Sequence, residues 1–339
     1  MKFDIGILAS EPLPVIVRQV RLAESLGFDT AWITDTHLVC RELWVTLTAC
    51  AQQTSRIRLG PGITVPHTRH VSVTASAIAT LHELAEGRLV LGIGTGGSAA
   101  ETMGLSVAKV ARVATLEGMA TALRRLLAGD AIRLENGTEA RLAWLERPAA
   151  IPLYLAGSGP RMLDAAGRLG DGAIMYSGVA PWLVQAALAC VTAGARASGR
   201  SPGGRPGELD IAIWAPTSIA PDRALARDHV RGRVASALRH AFPVAWSPED
   251  QAVIDQVRAA YNSYEHARAA SKHRLLVTDR FVDLMALAGT PDEVREQVRG
   301  IMSVAGVGRV ILLPQVPGQD FVEREQVLRL FADDVMAKL

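Results

Sequence analysis

Cysteine is scarce in this 339-residue chain, with three in all: Cys40, Cys50 and Cys190. The number is odd and no pair has C-x2-C spacing, which speaks against a disulfide framework or a zinc ribbon. The expectation is three small hydrophobes in a protein of the reducing cytoplasm. No run approaches 18 apolar residues, so no membrane span is expected. Asp4 and Glu11 interrupt the first apolar stretch, which removes the core of a secretory signal. An excess of one charge is missing too. Lys and Arg total 36 against 34 Asp and Glu, a net charge of +2, so nothing attracts nucleic acid or a membrane surface.

What the chain does have is apolar material, 49% by residue, enough to build a large core without disulfides or structural metals. Thirty Gly and 17 Pro are spread along it, as short connections require. The length suits either two domains or one (β/α)8 barrel.

Short apolar runs alternate with helical periods. The runs are Phe3–Leu8, Thr30–Thr34, Arg56–Thr64, Arg88–Ile93, Ile151–Ala156, Gly172–Tyr176, Leu209–Trp214 and Arg309–Leu313. Between them, three- and four-residue spacings predict helices from Pro12, at Leu43–Gln53, Val71–Leu84, Val110–Ala128, Arg161–Leu169, and from Ala180 to Ala197. Further helices are expected at Arg223–His240, Thr278–Leu287 and Phe321–Lys338. Thr290-Pro291-Asp292-Glu293 is a helix start, with Thr as N-cap and the helix running to Ala305. Asn136-Gly137 suggests a small hairpin, and 199–207 an exposed loop. Segment 241–275 carries no strand signal and reads as an irregular or helical insertion. Eight strands each followed by helix, with no break in composition, predict one α/β barrel over 1–339. A doubly wound sheet with a cap domain is the rival.

In a parallel barrel, chemistry gathers where strands end. Gly92-Ile93-Gly94-Thr95-Gly96-Gly97 matches G-x-G-x-x-G after a strand. A dinucleotide fold would place that motif at its start and an acid at the end of the next strand. Here three βα units come first, and the acid, Glu117, falls inside a helix. Gly92 reads as letting the strand end bend, whereas Gly96 and Gly97 let a flat ligand approach the backbone. Gly157-Ser158-Gly159-Pro160 opens a helix, where free N–H groups and the dipole suit a phosphate or carboxylate, with Arg161 nearby. His67, Arg69 and His70 lack metal-ligand spacing, and no G-x-S-x-G elbow occurs. Asp35 and His37 alternate, so they share one side of an extended strand end. They read equally as an N-cap with a solvated histidine, or as a ring-contacting acid with a proton donor.

The block Leu59-Gly60-Pro61-Gly62-Ile63-Thr64-x-Pro66-x-Thr68-Arg69, continued by Thr74–Leu81 and Gly87-Arg88-x-x-Leu91-Gly92-Ile93-Gly94, resembles the bacterial luciferase-like superfamily. The branch it resembles uses the deazaflavin coenzyme F420 and includes the methylenetetrahydromethanopterin reductases. Ala31–Asp35 and Ile151–Gly172 fit the same pattern. The resemblance implies a (β/α)8 barrel, usually dimeric, acting on a small-molecule substrate. It implies a cis non-prolyl peptide at Gly62-Ile63 behind the cofactor ring, followed by Thr64. It also implies a ring-contacting acid at Asp35, a glycine loop at Thr95-Gly96-Gly97, and a phosphate loop from Ala156 through Gly157, Ser158 and Gly159 to Pro160. His37 is the expected proton-transfer residue, ahead of Glu101, which is expected in a solvated turn. An FMN-dependent monooxygenase would have a similar site. Thr36 separates Asp35 from His37 where many of the reductases have Asp-His. Gly6 and Gly97 stand where the pterin reductases carry acids. The resemblance therefore reaches the cofactor more firmly than the pterin. Trp246, Tyr261, Tyr264 and His266 are candidates for a lid, for packing or for a dimer contact.

Overall fold

A computed structural model describes residues 1–106, 113–201, 208–262, 265, 271–316 and 321–339. The predicted residues 110–112, 202–207, Tyr264 and His266 lie outside that set.

The first helix shows how sequence becomes position. Strand β1 (Lys2–Ile7) leads into α1 (Leu13–Ser25), where Ile16, Val20 and Ala23 face inward at helical spacing. Gly27, at φ 86°, turns the chain back toward β2 (Thr30–Ile33). The unit recurs as α2 (Leu43–Gln52), β3 (Arg58–Pro61), α3 (Val71–Leu84) and β4 (Leu91–Ile93). Then come α4 (Gly97–Thr102), α5 (Val113–Leu127) and the antiparallel pair β5 (Ile132–Arg133) and β6 (Glu139–Ala140), turning at Gly137 as Asn136-Gly137 predicts. The series continues through β7 (Leu153–Gly157), α6 (Pro160–Leu169), β8 (Gly172–Met175), α7 (Pro181–Ala197), β9 (Asp210–Ile219) and α8 (Arg223–Leu238). After α9 (Pro248–Ala260) and a 3-10 turn at Lys272–Leu276 come α10 (Asp279–Met285), β10 (Leu287–Gly289), α11 (Pro291–Met302), β11 (Arg309–Pro314) and α12 (Phe321–Leu330).

The parallel strands run in the order β3-β2-β1-β11-β9-β8-β7-β4. Bridges Leu59–Leu89 and Thr64–Ile93 join β3 to β4 and close the ring. The result is a TIM barrel, and a doubly wound sheet is thereby excluded. The seam is tight: a Cβ on Gly60 would strike the Val90 carbonyl and one on Gly92 the Pro61 carbonyl. Gly92 is therefore structural, as the sequence reading had it.

Three expectations need correction. Strand β9 runs on past Trp214 to Ile219, although Pro216 has no N–H to donate. Pro216 pairs in register with Leu313, and the overhang Thr217–Ile219 pairs with β10. Leu287 begins that strand and does not end a helix. The glycine loop after β4 is itself helical from Gly97. The N-terminal signal at Thr290 is a full capping box, its hydroxyl and the Glu293 carboxylate each accepting the other's backbone N–H.

Segment 241–275 is irregular over 241–247 and helical over Pro248–Ala260, with a 3-10 turn at Lys272–Leu276. It builds a second apolar cluster with α7, α8 and α10, among them Leu183, Val234, Leu238, Ile254 and Phe281. Trp246 packs there edge-on to Phe242, Trp182 and Phe281, which is a packing role.

Candidate active site

A cavity of about 230 Å³ opens at the C-terminal ends of the strands. Thr34, Asp35 and Thr36 enter it after β2, Gly62, Ile63 and Val65 after β3, and Thr95 to Ala99 after β4. Ala156, Gly157 and Ser158 come from the end of β7, Ile174 and Tyr176 from β8, Trp214 from β9 and Leu313 from β11.

One wall is built around Gly62, Ile63 and Gly96. The Gly62–Ile63 peptide is cis. A Cβ on Gly62 would lie 2.7 Å from Trp32 Cβ and 3.0 Å from Trp214 Cζ3, so no side chain fits there. Gly96 caps α4 at φ 61°, and a Cβ on it would strike Val65. A larger residue there would be strained by the left-handed backbone and blocked by its neighbour. Thr64 is fully buried behind this wall. Its N–H donates to the Gly92 carbonyl at 3.0 Å, and its hydroxyl donates to Asp35 Oδ2 at 2.8 Å.

Asp35 is buried and held from three sides. Arg69 Nη1 donates to Oδ2 at 2.6 Å and Nη2 to Oδ1 at 3.3 Å, besides the Thr64 hydroxyl. The same guanidinium reaches Glu42 at 2.6 Å. The Asp35 carboxylate is therefore fixed in place and partly neutralised. His37 Nδ1 lies 3.8 Å from Asp35 Oδ1, beyond hydrogen-bond range, and has no hydrogen-bond partner among the described residues. The histidine stands beside the cavity residue Thr36, outside the lining itself.

The loop after β7 meets the expectation of an open helix start. Gly159 is the N-cap of α6, no side chain caps it, and Pro160 is the first helical residue. Pro160 has no N–H, and the Met162 and Leu163 N–H groups donate to the Gly159 carbonyl, so the Arg161 N–H is the first-turn donor left for a ligand or water. Gly157 and Ser158 reach the cavity, whereas Gly159 and Pro160 stand behind them, and Arg161 is exposed. Ser177 Oγ donates to the Ser158 carbonyl at 3.2 Å and steadies the loop.

Glu101 departs from its predicted solvated turn. It sits on α4 and pairs with Arg239 at 2.6 Å, and Arg239 lies 4.1 Å over the Tyr261 ring. Tyr261 in turn stacks on His273 at 4.5 Å.

The sequence reading missed the inner face of α8 and the turn that follows it. Arg233, Ser236 and His240 all line the cavity. Their i, i+3, i+7 spacing on an otherwise apolar face was the available signal. Burial, reinforced by Arg239 and Arg258, lowers the His240 pKa to about 4, so its ring is neutral at pH 7. Burial raises the Tyr176 phenol to about 12.

Gly6 has its own explanation. A Cβ there would lie 2.8 Å from Trp214 Cη2, so the indole occupies the place of any side chain on β1. Gly6→Ala is expected to tip the indole and cost about 1–3 kcal/mol of stability. Urea unfolding read by tryptophan fluorescence checks this, with Gly118→Ala, a helical position whose Cβ meets nothing and which should gain about 0.5–1 kcal/mol, as the contrast.

Fold and site together define a (β/α)8 enzyme framework with a wall built around Gly62, Ile63 and Gly96 and an anion-ready helix start on one cavity. Residues 2–308 match the sequence model of the luciferase-like monooxygenase family, and the chain belongs to that family. It is 32% identical to 5,10-methylenetetrahydromethanopterin reductase of Methanolobus tindarius, over 92% of this chain and 93% of the relative. It is 30% identical to the F420-dependent glucose-6-phosphate dehydrogenase of Kineococcus radiotolerans, over 94% and 90%. The crystal structure of the coenzyme F420-dependent tetrahydromethanopterin reductase from Methanopyrus kandleri superposes with a TM-score of 0.81 at 26% identity, covering 99% of each chain.

Proposed function

We propose that this chain is an oxidoreductase that moves a hydride between coenzyme F420 and a small organic substrate. The observation that carries the reading is the pairing, across one cavity, of the Gly62–Ile63 bulge, whose glycine admits no side chain, with the helix start at 157–160 that no side chain caps. A flat ring system with an anionic tail fits that pairing. F420 is favoured over FMN because relatives with different substrates carry F420 in their names.

In this reading Gly62, Ile63 and Thr64 back the ring, and Thr95, Gly96 and Gly97 border it. Ala156 to Pro160 receive the phosphate. Asp35, immobilised by Arg69 and Thr64, faces the ring without needing to reorganise. Bound F420 would supply the hydride chemistry. The protein's part is to orient the reactants, keep water out and handle the proton. His37 is the proton-transfer residue, standing 3.8 Å from Asp35. Residues 1–339 act as one barrel domain with 241–275 inserted. The protein is a cytoplasmic homodimer, for which the exposed Val45, Val73 and Leu84 on α2 and α3 are the supporting surface.

Titrating the purified protein with F420 and with FMN, followed by fluorescence, tests the assignment. Saturable F420 binding with none for FMN is expected. Tight FMN binding without F420 binding would replace this reading with a flavin monooxygenase.

A further inference from the structure

Most buried arginines here hold carboxylates. Arg69 binds Asp35, Arg227 binds Asp283, Arg309 binds Asp4 and Arg324 binds Glu11. Arg233 does not. Its guanidinium forms no hydrogen bond or ion pair among the described residues, its Nε is buried without a partner, and it lines the cavity. A half-buried cation without a counter-charge is costly unless an anion arrives. The backbone around it is settled, since the Tyr176 hydroxyl donates to the Arg233 carbonyl at 3.3 Å. Ser236 adds a hydroxyl one turn along the same face, and the neutral His240 ring does not compete for an anion.

The phosphate loop is a separate place. A Cβ on Gly159 would lie 3.1 Å from Ala241 Cβ, so that loop abuts the far end of α8. Arg233 is eight residues before Ala241, about 12 Å at the rise of a helix. It acts electrostatically on Tyr176, just past β8, and on Cys40, whose sulfur lies 3.3 Å from Thr34 Oγ1 on the β2 side. One cavity is thus lined both by the loop before α6 and by Arg233.

We infer that Arg233, assisted by Ser236, binds an oxyanion on the substrate, so that the enzyme acts on small molecules bearing a carboxylate or phosphate. The inference rests on the F420 reading for the identity of the second ligand, but not for the existence of the Arg233 site.

Calorimetric titration of the F420-saturated protein with benzoate, phenyl phosphate and neutral benzamide tests it. At least one anion should bind roughly 10- to 100-fold tighter than benzamide. Which anion binds tighter separates carboxylate from phosphate. Arg233→Met should bring all three probes to parity, and Arg233→Lys should keep part of the preference. F420 affinity, read separately by fluorescence, should stay within about twofold in both variants. Equal binding of all three probes to the wild type overturns the inference. So does a loss of F420 affinity beyond about tenfold in Arg233→Met, which would give the arginine to the cofactor. If F420 does not bind at all, the function proposed above falls, and the same titration of the unloaded protein still decides the anion preference.

Discussion

Replacing Arg309 with methionine is expected to lower the free energy of unfolding by about 3–5 kcal/mol at neutral pH, the usual result of stripping one partner from a buried ionic cluster. Arg309 sits at the closed end of the barrel and is 2% exposed. Its Nη1 donates to Asp4 at 2.8 Å and Asp29 at 2.6 Å, and its Nε donates to Asp210 at 2.8 Å. Trp32 Nε1 donates to Asp4 at 3.0 Å and the Tyr154 hydroxyl to Asp210 at 2.9 Å, so β1, β2, β7, β9 and β11 are tied at one point. Without the guanidinium, three carboxylates face one another with little water. Urea unfolding measures the loss, and a change under about 1 kcal/mol would show that the cluster adds nothing net.

The cluster also sets a pH dependence. Burial, with repulsion from Asp29, raises the Asp4 pKa to about 6 despite Arg309 and Trp32. A folded pKa above the unfolded value means the folded state holds the proton more tightly. This contribution is full below about pH 4 and is lost as pH rises through 6. Asp29 goes the other way. Burial opposes its ionisation, but Arg309 and Lys2 win and bring it to about 2. Its contribution is present above about pH 4 and is lost as pH falls through 2. Asp4→Asn should therefore flatten the decline in stability between pH 4 and 7. An unchanged pH profile would count against a proton on Asp4.

The second large effect is expected at Asp35. Asp35→Ala removes the carboxylate that Arg69 and Thr64 share, leaving Arg69 with Glu42 alone. The expected cost is about 2–4 kcal/mol in stability. F420 affinity should fall more than about tenfold, because the residue lines the cavity and anchors the loop behind it. Asp35→Asn keeps the shape and should recover most of the stability but not the affinity. Full F420 affinity in a folded Asp35→Asn protein would leave Asp35 an anchor and no part of the cofactor site.

The barrel was legible because its strands are written as buried runs, and a run such as Arg309–Leu313 can only be a strand with helices on both sides. The glycine positions were legible for the same local reason, since the backbone geometry at Gly96 needs them. Illegible was whatever depends on a partner far along the chain. Nothing around Asp35 announces that Arg69 will hold it, and the spacing of Arg233, Ser236 and His240 marks a polar stripe without saying that it meets a cavity made by other strands. The extension of β9 past Pro216 was hidden too, because only the register with Leu313 makes a proline acceptable there.

The pairing of β1 with β11 has a consequence for how the molecule is made. Asp4 and Arg309 are 305 positions apart, yet they lie in adjacent strands. A ribosome releases β1 early, and one edge of it stays unpaired until β11 emerges. During that interval Phe3, Ile5 and Ile7 flank an open edge, the state in which nascent chains find wrong partners. Synthesis at elevated temperature, or stalling before β11, should yield insoluble chains even though the finished barrel exposes no such edge.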